Sequence, residues 1–160
     1  MIRPLEQDEL PRCIEHGKAF HAEFQLAGEF VPEVFLRNWN RFYERQIGTV
    51  LSLWHDDQLI GGLGGLLAPD LFDDRLCATE IFWFVSAPHR HGSGALRLLD
   101  AYERWAFISG AVECRLLYLN GVDRERDLQF HRVYERRGYR MRETGWIKPL
   151  VNLSELVWPL

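Results

Sequence analysis

Residues 81–99 of the chain read IFWFVSAPHRHGSGALRLL, and this stretch decides the fold. Its first part is an apolar run typical of a buried strand, and its last part has the leucine spacing of an amphipathic helix. The turn between them is rich in glycine and carries Arg90. A helix N-terminus exposes unpaired N–H groups and a positive dipole, so this turn could hold a pyrophosphate. It could equally be an ordinary glycine-rich turn, because neither a Walker loop nor a GxGxxG motif is present.

The residues before this stretch predict a strand, two helices and a hairpin. Residues 1–5 form a short strand, and residues 9–24 form an amphipathic helix with Asp8 as its N-cap. Pro32 opens a second helix. A hairpin over 49–55 and 58–68 then leads to residues 76–85, which are apolar on both faces as a central strand should be.

The residues after it alternate helix and strand. The helix that begins near Ala95 ends at Gly110, and residues 113–119 form a buried strand. A further helix ends at Gly138, and residues 139–149 supply one or two last strands. We therefore expect one domain over residues 1–160 of the α/β (mixed α+β) class. Its central sheet is mixed and mostly antiparallel, with helices on both faces.

Composition narrows the class of function. The chain has 160 residues, 47% of them hydrophobic, which favours a folded domain, and its net charge of −4 argues against a nucleic-acid partner. No apolar stretch is long enough for a membrane span, and we expect no secretion signal because no basic segment is followed by an apolar one. The three cysteines lack CxxC spacing, and three aspartates at 70–74 lack calcium-loop spacing, so we expect no metal. A reducing, cytoplasmic location is expected.

Two segments carry a resemblance to a known family. Residues 85–99 resemble the acetyl-CoA loop of the GNAT family of N-acetyltransferases, whose pattern is Arg/Gln-x-x-Gly-x-Gly/Ala before a helix with paired leucines. Arg90 takes the first position and Ala95 the last, while Ser93 replaces the middle glycine and Pro88 lies one place later than usual. Residues 130–139, FHRVYERRGY, resemble the family's Phe-Tyr-x-x-x-Gly-Phe segment. The order of elements also matches, and the form resembles small phage- and prophage-encoded members.

The resemblance implies acetyl-CoA as co-substrate. In the family the loop's backbone amides hold the CoA pyrophosphate, and the end of the preceding strand hydrogen-bonds the pantetheine arm through its backbone. Carried onto this chain, the expected cofactor-binding residues are Phe84, Val85, Arg90, His91, Gly92, Ser93, Gly94, Ala95 and Asn120. For Asn120, an ordinary turn or N-cap role is the alternative.

Two residues are candidates for catalysis. A carboxylate within an apolar strand is costly to bury, so Glu80 is either a general base or one half of a salt bridge to a neighbouring arginine. The resemblance implies a base here, since members similar to the histone-modifying enzymes carry a glutamate at this point of the strand as base. Tyr134 occupies the position at which a family tyrosine protonates the departing thiolate, and its alternative is a core aromatic that packs with Phe130. His131 is a weaker candidate base.

The sequence therefore predicts an acetyl-CoA-dependent N-acetyltransferase that transfers the acetyl group directly to an amine in a ternary complex. The acceptor would be a small molecule or a peptide, with neither a nucleic acid nor a membrane as partner. The alternative is a non-catalytic CoA-binding or structural protein on the same fold, for example one associated with a phage. The apolar tail, with Leu153, Leu156 and Trp158, would pack on its own domain or across a possible homodimer.

Overall fold

The computed structural model of the chain describes residues 1–117 and 124–142, and the chain divides into two compact units, Met1–Tyr118 and Leu119–Leu160. The first unit holds all the strands of the described residues. They are β1 (Ile2–Pro4), β2 (Gly48–His55), β3 (Gln58–Pro69), β4 (Leu76–Val85) and β5 (Glu113–Arg115). Its helices are α1 (Ile14–Glu23), α2 (Pro32–Glu44) and α3 (Gly94–Ile108), with 3-10 helices at Gln7–Cys13 and Ala87–His89. The second unit contributes α4 (Arg124–Arg136).

The five strands form one mixed sheet in the order β1-β2-β3-β4-β5. The first four are antiparallel neighbours, and β5 runs parallel to β4. This confirms the predicted mixed, mostly antiparallel sheet. Strand β4 is internal, as its apolar sequence predicts, but β5 pairs only with Cys77–Thr79. Within the described residues, β4 from Glu80 onward is therefore paired on the β3 side alone.

Two adjacent glycines in β3 show how the sheet faces are covered. A Cβ at Gly64 would lie 2.5 Å from the Phe82 ring and 2.6 Å from Trp39 of α2. A Cβ at Gly65 would lie 2.6 Å from Trp105 of α3. The glycines thus let aromatic side chains contact the backbone from opposite faces, with α2 over one face and α3 over the other. Helices on both faces of the sheet are confirmed.

The predicted helix over 9–24 is wrong in its first half. Residues 7–13 form a 3-10 helix, and the α-helix begins only at Ile14. Glu6, not Asp8, is the N-cap residue, and the Glu9 carboxylate accepts a hydrogen bond from the Glu6 N–H at 3.1 Å. Pro11 lacks an N–H, which removes one hydrogen bond from this segment and suits a short 3-10 helix better than an α-helix.

The predicted helix ends agree well with the structure. Pro32 lies in the first turn of α2, and Gly110 and Gly138 have φ of 83° and 87°, the left-handed conformation that ends helices α3 and α4. Strand β5 is shorter than predicted, since residues 116–117 are not strand, and residues 139–142 are not strand either. Asn120 and the apolar tail lie outside the described residues, so the homodimer stays a prediction.

No helix in residues 1–117 or 124–142 is both long and apolar enough to cross a membrane. In the same ranges, no group of three histidine, cysteine, aspartate or glutamate side chains is placed to hold a metal ion.

Candidate active site

The turn between β4 and α3 presents a row of backbone donors. Within the described part of the chain, no backbone carbonyl accepts a hydrogen bond from the N–H groups of residues 91–96, and the first paired N–H is that of Arg97, which donates to the Ser93 carbonyl at 3.0 Å. His91, Gly92 and Ser93 are exposed. Exposed N–H groups at the start of a 15-residue helix are a ready site for an anion.

The serine that departs from the family pattern costs little here. Ser93 is the N-cap residue of α3, with φ −75° and ψ 1°, a conformation open to any residue. A Cβ at Gly94, in contrast, would lie 2.7 Å from Cδ2 of Leu53, so a side chain at this position would require the Leu53 side chain to move. Position 93 therefore accepts a serine, whereas position 94 is closely packed against Leu53.

Arg90 is engaged inside the protein. Its Nη1 donates to Oε1 of Glu23 at 2.8 Å, Nη2 pairs with the other carboxylate oxygen, and Nε donates to the Val85 carbonyl at 2.6 Å. The guanidinium also lies over the Phe84 ring, 5.3 Å from its centroid. Arg90 therefore links the end of α1 to the end of β4. The loop motif alone does not predict this contact.

Glu80 lies where β4 and β5 part. Its side chain is buried, the residue being 4% exposed, and Oε2 accepts the Leu117 N–H at 2.9 Å. Burial raises the pKa of this carboxyl from 4.5 to about 7, although the Leu117 N–H partly offsets the rise. Among the described residues no arginine pairs with Glu80, so the salt-bridge alternative is not what the structure shows.

A bulge in β4 decides which way Glu80 faces. Gly64 pairs with Phe82 and the next residue, Gly65, pairs with Glu80, so Ile81 is an extra residue in β4. Residues directly opposite in an antiparallel pair share a face, so Glu80 lies on the α3 side with Gly65. The Glu80 charge accordingly helps raise the pKa of Tyr102 on α3, an effect that comes mainly from burial of that hydroxyl.

On the other face, α1 and α2 enclose an apolar cavity of about 180 Å³ against β3 and β4. Two glycines of β3, Gly61 and Gly62, form part of its wall. We call this space the α1–α2 cavity. Its lining residues are Cys13, His16, Gly17, Phe20, His21, Leu26, Phe30, Phe35, Trp39, Gly61, Gly62, Ile81, Phe82 and Phe84.

A second, more polar depression of about 340 Å³ lies on the outer side of the loop. Its wall includes Gly92 and Gly94 together with three imidazoles and the Arg97 guanidinium. The rings of His55 and His89 lie 5.6 Å apart, and the third imidazole is that of His91. This depression places cationic or hydrogen-bonding groups beside the exposed N–H groups of the loop.

Tyr134 belongs to the second unit. It lies on α4, is half-buried, and its ring lies 6.1 Å from Phe130 and 6.0 Å from Tyr139. These contacts are those of an aromatic side chain packed within its own unit, and they leave the proposed role of the hydroxyl untested. His131 follows Phe130 on the same helix and is also half-buried.

Three residues of this region were not predicted from the sequence. Glu23 binds Arg90 from 67 positions away, and His16 and Arg97 line the two cavities. His16 had a detectable signal, because it adjoins Gly17 on the predicted helix stripe. Arg97 lies one turn into the predicted helix after the loop, where a cation can reach a ligand at the helix start.

Strands β4 and β5 thus part beside a glycine-rich helix start. The sequence model of the acetyltransferase (GNAT) family matches residues 13–139. The chain belongs to the GNAT family. Its resemblance to that family in the two quoted segments is thereby confirmed.

Solved structures share this fold at low sequence identity. A probable acetyltransferase is 17% identical, with a TM-score of 0.74, covering 95% of this chain and 99% of its own. A predicted acetyltransferase from Clostridium acetobutylicum, determined with acetyl-CoA, is 11% identical, with a TM-score of 0.76, covering 94% of this chain and 96% of its own. An aminoglycoside acetyltransferase from an uncultured soil metagenomic sample, in complex with sisomicin, is 16% identical, with a TM-score of 0.73, covering 93% and 95% respectively. No curated protein matched the chain.

Proposed function

We propose that the protein is an acetyl-CoA-dependent N-acetyltransferase that works by direct transfer in a ternary complex. The observation that carries this proposal is Glu80, a buried carboxyl with a raised pKa at the point where β4 and β5 part. A group with a pKa of about 7 can take a proton from an ammonium ion at neutral pH and release it afterwards.

The residues present fit acetyl-CoA, which supplies the activated acetyl group when it is bound. The N–H groups of residues 91–96 are donors for its pyrophosphate, and Arg97 and His91 add hydrogen-bonding groups beside them. The backbone of β4 from Glu80 to Val85 is paired on the β3 side alone among the described residues, so its other edge suits an extended arm. Phe84, Val85 and the loop His91–Ala95 are the binding residues we propose, with Asn120 as a further one from the family pattern.

Arg90 is proposed to position this loop rather than to grip phosphate. All three of its guanidinium nitrogens already donate to Glu23 or to the Val85 carbonyl. A side chain held in this way fixes the start of the loop at low entropic cost when the ligand binds.

Proton transfer is assigned to two residues. Glu80 accepts the proton of the incoming ammonium, directly or through water, and Tyr134 donates a proton to the departing sulfur. The second assignment rests on the family position of Tyr134 in the segment 130–139.

The cysteines favour direct transfer over an acyl-enzyme. Burial raises the pKa of the Cys13 thiol, which lies on the wall of the α1–α2 cavity, to about 12. Burial also raises the pKa of Cys114. A thiol that stays protonated at neutral pH is a poor nucleophile.

The acceptor we propose is a small-molecule or peptide amine. The structural relative in complex with sisomicin shows that an aminoglycoside acetyltransferase is built on this fold, and it illustrates one kind of amine acceptor. The choice of acceptor by this chain depends on its own cavity walls.

Two measurements test the proposed function. Titration calorimetry with acetyl-CoA and with CoA measures binding, and release of free thiol from acetyl-CoA in the presence of an amine panel measures transfer. The proposal expects binding of both and amine-dependent thiol release, which Glu80→Gln should reduce. Binding without release on any amine would favour the alternative of a non-catalytic CoA-binding protein. An absence of binding would refute both.

A further inference from the structure

The α1–α2 cavity is walled almost entirely by carbon. Six aromatic side chains line it, namely Phe20, Phe30, Phe35, Trp39, Phe82 and Phe84, with Leu26 and Ile81 beside them. Phe20 meets the rings of Phe82 and Phe84 edge to face at 6.4 Å, so α1 and β4 form a continuous aromatic surface. Apolar space of this kind favours an apolar ring or chain over a hydrated group.

The cavity holds no group that could neutralise several positive charges. None of its lining residues, all of which lie in the described part of the chain, is an aspartate or a glutamate. Glu23, the last residue of α1, is already paired with Arg90. A polycationic acceptor would have to give up its hydration here without a carboxylate in return, which is strongly unfavourable.

The volume of the cavity suits one ring. An engineered apolar cavity of about 150 Å³ binds benzene, and the α1–α2 cavity has about 180 Å³. A single six-membered ring with a short arm fills such a space, whereas a linked pair of sugar rings does not.

Two imidazoles, those of His16 and His21, are part of this wall, and that of His16 is held by the backbone. Its Nε2 lies 2.7 Å from the Leu59 carbonyl, which can only accept, so Nε2 carries the hydrogen. In the neutral ring, Nδ1 is then an acceptor, and among the described residues it has no hydrogen-bond partner. This nitrogen can accept a hydrogen bond from an amine N–H.

The cavity also adjoins the proposed acetyl-CoA site. Phe84 forms part of its wall and lies under the Arg90 guanidinium at the start of the loop. Ile81 and Phe82 follow Glu80 directly in β4 and line the same cavity. Glu80 itself faces the α3 side of the sheet, so an amine on a short arm from the ring would reach its carboxylate past the edge of β4 that is unpaired among the described residues.

We propose that the acceptor is a monoamine joined by a short arm to an aromatic or similarly compact apolar ring, with the ring bound in the α1–α2 cavity. The inference rests on the proposed function for the transfer step, whereas binding of the ring does not depend on it. The amine nitrogen forms a bond to the acetyl carbon and the C–S bond of the thioester breaks. Of the two protons that the ammonium loses, one is balanced by the proton that the departing sulfur takes to become the CoA thiol, and the other passes through Glu80 to solvent.

The experiment compares acceptors and a non-amine probe on the full chain. With acetyl-CoA, 2-phenylethylamine, ethylamine and spermidine are compared by thiol release, and 2-phenylethanol is titrated by calorimetry and tested as an inhibitor. We expect kcat/KM for 2-phenylethylamine to exceed that for ethylamine and for spermidine by at least about tenfold, because a buried apolar group contributes on that scale. We also expect 2-phenylethanol to bind and to inhibit competitively against the amine.

A pair of tryptophan variants locates the ring. Leu26→Trp places a bulky ring at a cavity residue that is 37% exposed, and Ile108→Trp makes a similar change at a 75% exposed residue of α3 that does not line the cavity. Leu26→Trp should weaken 2-phenylethanol binding and raise KM for 2-phenylethylamine by about tenfold, with Ile108→Trp unchanged. Circular dichroism and unfolding curves show whether both variants remain folded.

The outcomes separate the two proposals. Equal use of ethylamine or spermidine, or 2-phenylethanol binding unaffected by Leu26→Trp, would overturn the acceptor inference and leave the acetyltransferase intact. Failure to bind acetyl-CoA or to acetylate any amine would overturn the proposed function. In that case, calorimetry with 2-phenylethanol still decides whether the cavity takes a ring, and an absence of binding would refute the inference as well.

Discussion

Replacing Glu80 by glutamine should make the protein more stable at alkaline pH. Burial raises the pKa of Glu80 from 4.5 to about 7, so the folded protein holds this proton more tightly than the unfolded chain does. Stability from this group is fully present below about pH 4.5 and is lost as pH rises through about 7. Each pKa unit is worth about 1.4 kcal/mol, so the ionised group destabilises the fold by about 3 kcal/mol.

Glutamine removes this penalty and keeps the local hydrogen bond. Its amide oxygen can accept the Leu117 N–H that Oε2 of Glu80 accepts at 2.9 Å, and its volume is nearly the same. At pH 5, close to the pKa of the unfolded chain, Glu80→Gln should therefore be more stable than wild type by only about 1 kcal/mol or less. At pH 8.5 the variant should be more stable by about 3 kcal/mol, because only the wild-type residue ionises there.

Urea unfolding followed by tryptophan fluorescence at both pH values provides the measurement. Glu44→Gln, at an exposed position of α2, is the matched control and should change stability by less than about 0.5 kcal/mol at either pH. If Glu80→Gln were no more stable than wild type at pH 8.5, the buried carboxylate would have a charge partner or a solvent path, and the argument from desolvation would be wrong. If Glu80→Gln is more stable than wild type but inactive, Glu80 contributes to catalysis while it lowers the stability of the fold.

Three further predictions concern the loop, α4 and β3. Arg90→Ala and Glu23→Gln should each weaken acetyl-CoA binding, measured by calorimetry, by about 1–3 kcal/mol, because each removes the same ion pair. If Glu23→Gln instead bound acetyl-CoA more tightly, Arg90 would contact the phosphate directly. Tyr134→Phe should lower kcat by about 10²–10⁴ with little change in acetyl-CoA affinity, and full turnover would leave Tyr134 a packing residue. Gly65→Ala should destabilise the protein to urea by about 1–3 kcal/mol because its Cβ would lie 2.6 Å from Trp105, whereas Gly92→Ala, with open space around it, should not.

Local patterns in the sequence predict the core elements well. Strand β4 was expected over 76–85 and is found there, and the stripe Leu98, Leu99 and Tyr102 is buried as the helical spacing requires. These predictions are correct because the spacing of apolar residues indicates directly which side chains are buried. The 3-10 helix at Gln7–Cys13 was missed because its apolar spacing also fits an α-helix, and the effect of Pro11 on the backbone is not a matter of hydrophobic pattern.

Long-range contacts explain most of what the sequence did not predict in the candidate site. The Arg90–Glu23 ion pair joins residues 67 positions apart, and the Glu80–Leu117 hydrogen bond joins residues 37 apart. No local pattern encodes either of them. The sequence predicts that α1 and α2 each have an apolar face. Such a face indicates that its residues are buried, but it does not show which residues they contact. That Phe20 and Trp39 leave a cavity between them depends on the distance between two helices.

The bulge at Ile81 separates the polar and apolar parts of this site. In a regular strand, side chains alternate, and Glu80, Phe82 and Phe84 would all point to one face. A carboxylate would then lie within the aromatic wall of the α1–α2 cavity. Because Ile81 is inserted, Glu80 instead shares the α3 face with Gly65, while Phe82 and Phe84 line the cavity. One extra residue thus lets adjacent positions of a single strand provide a proton acceptor and an apolar wall, each in surroundings suited to its chemistry.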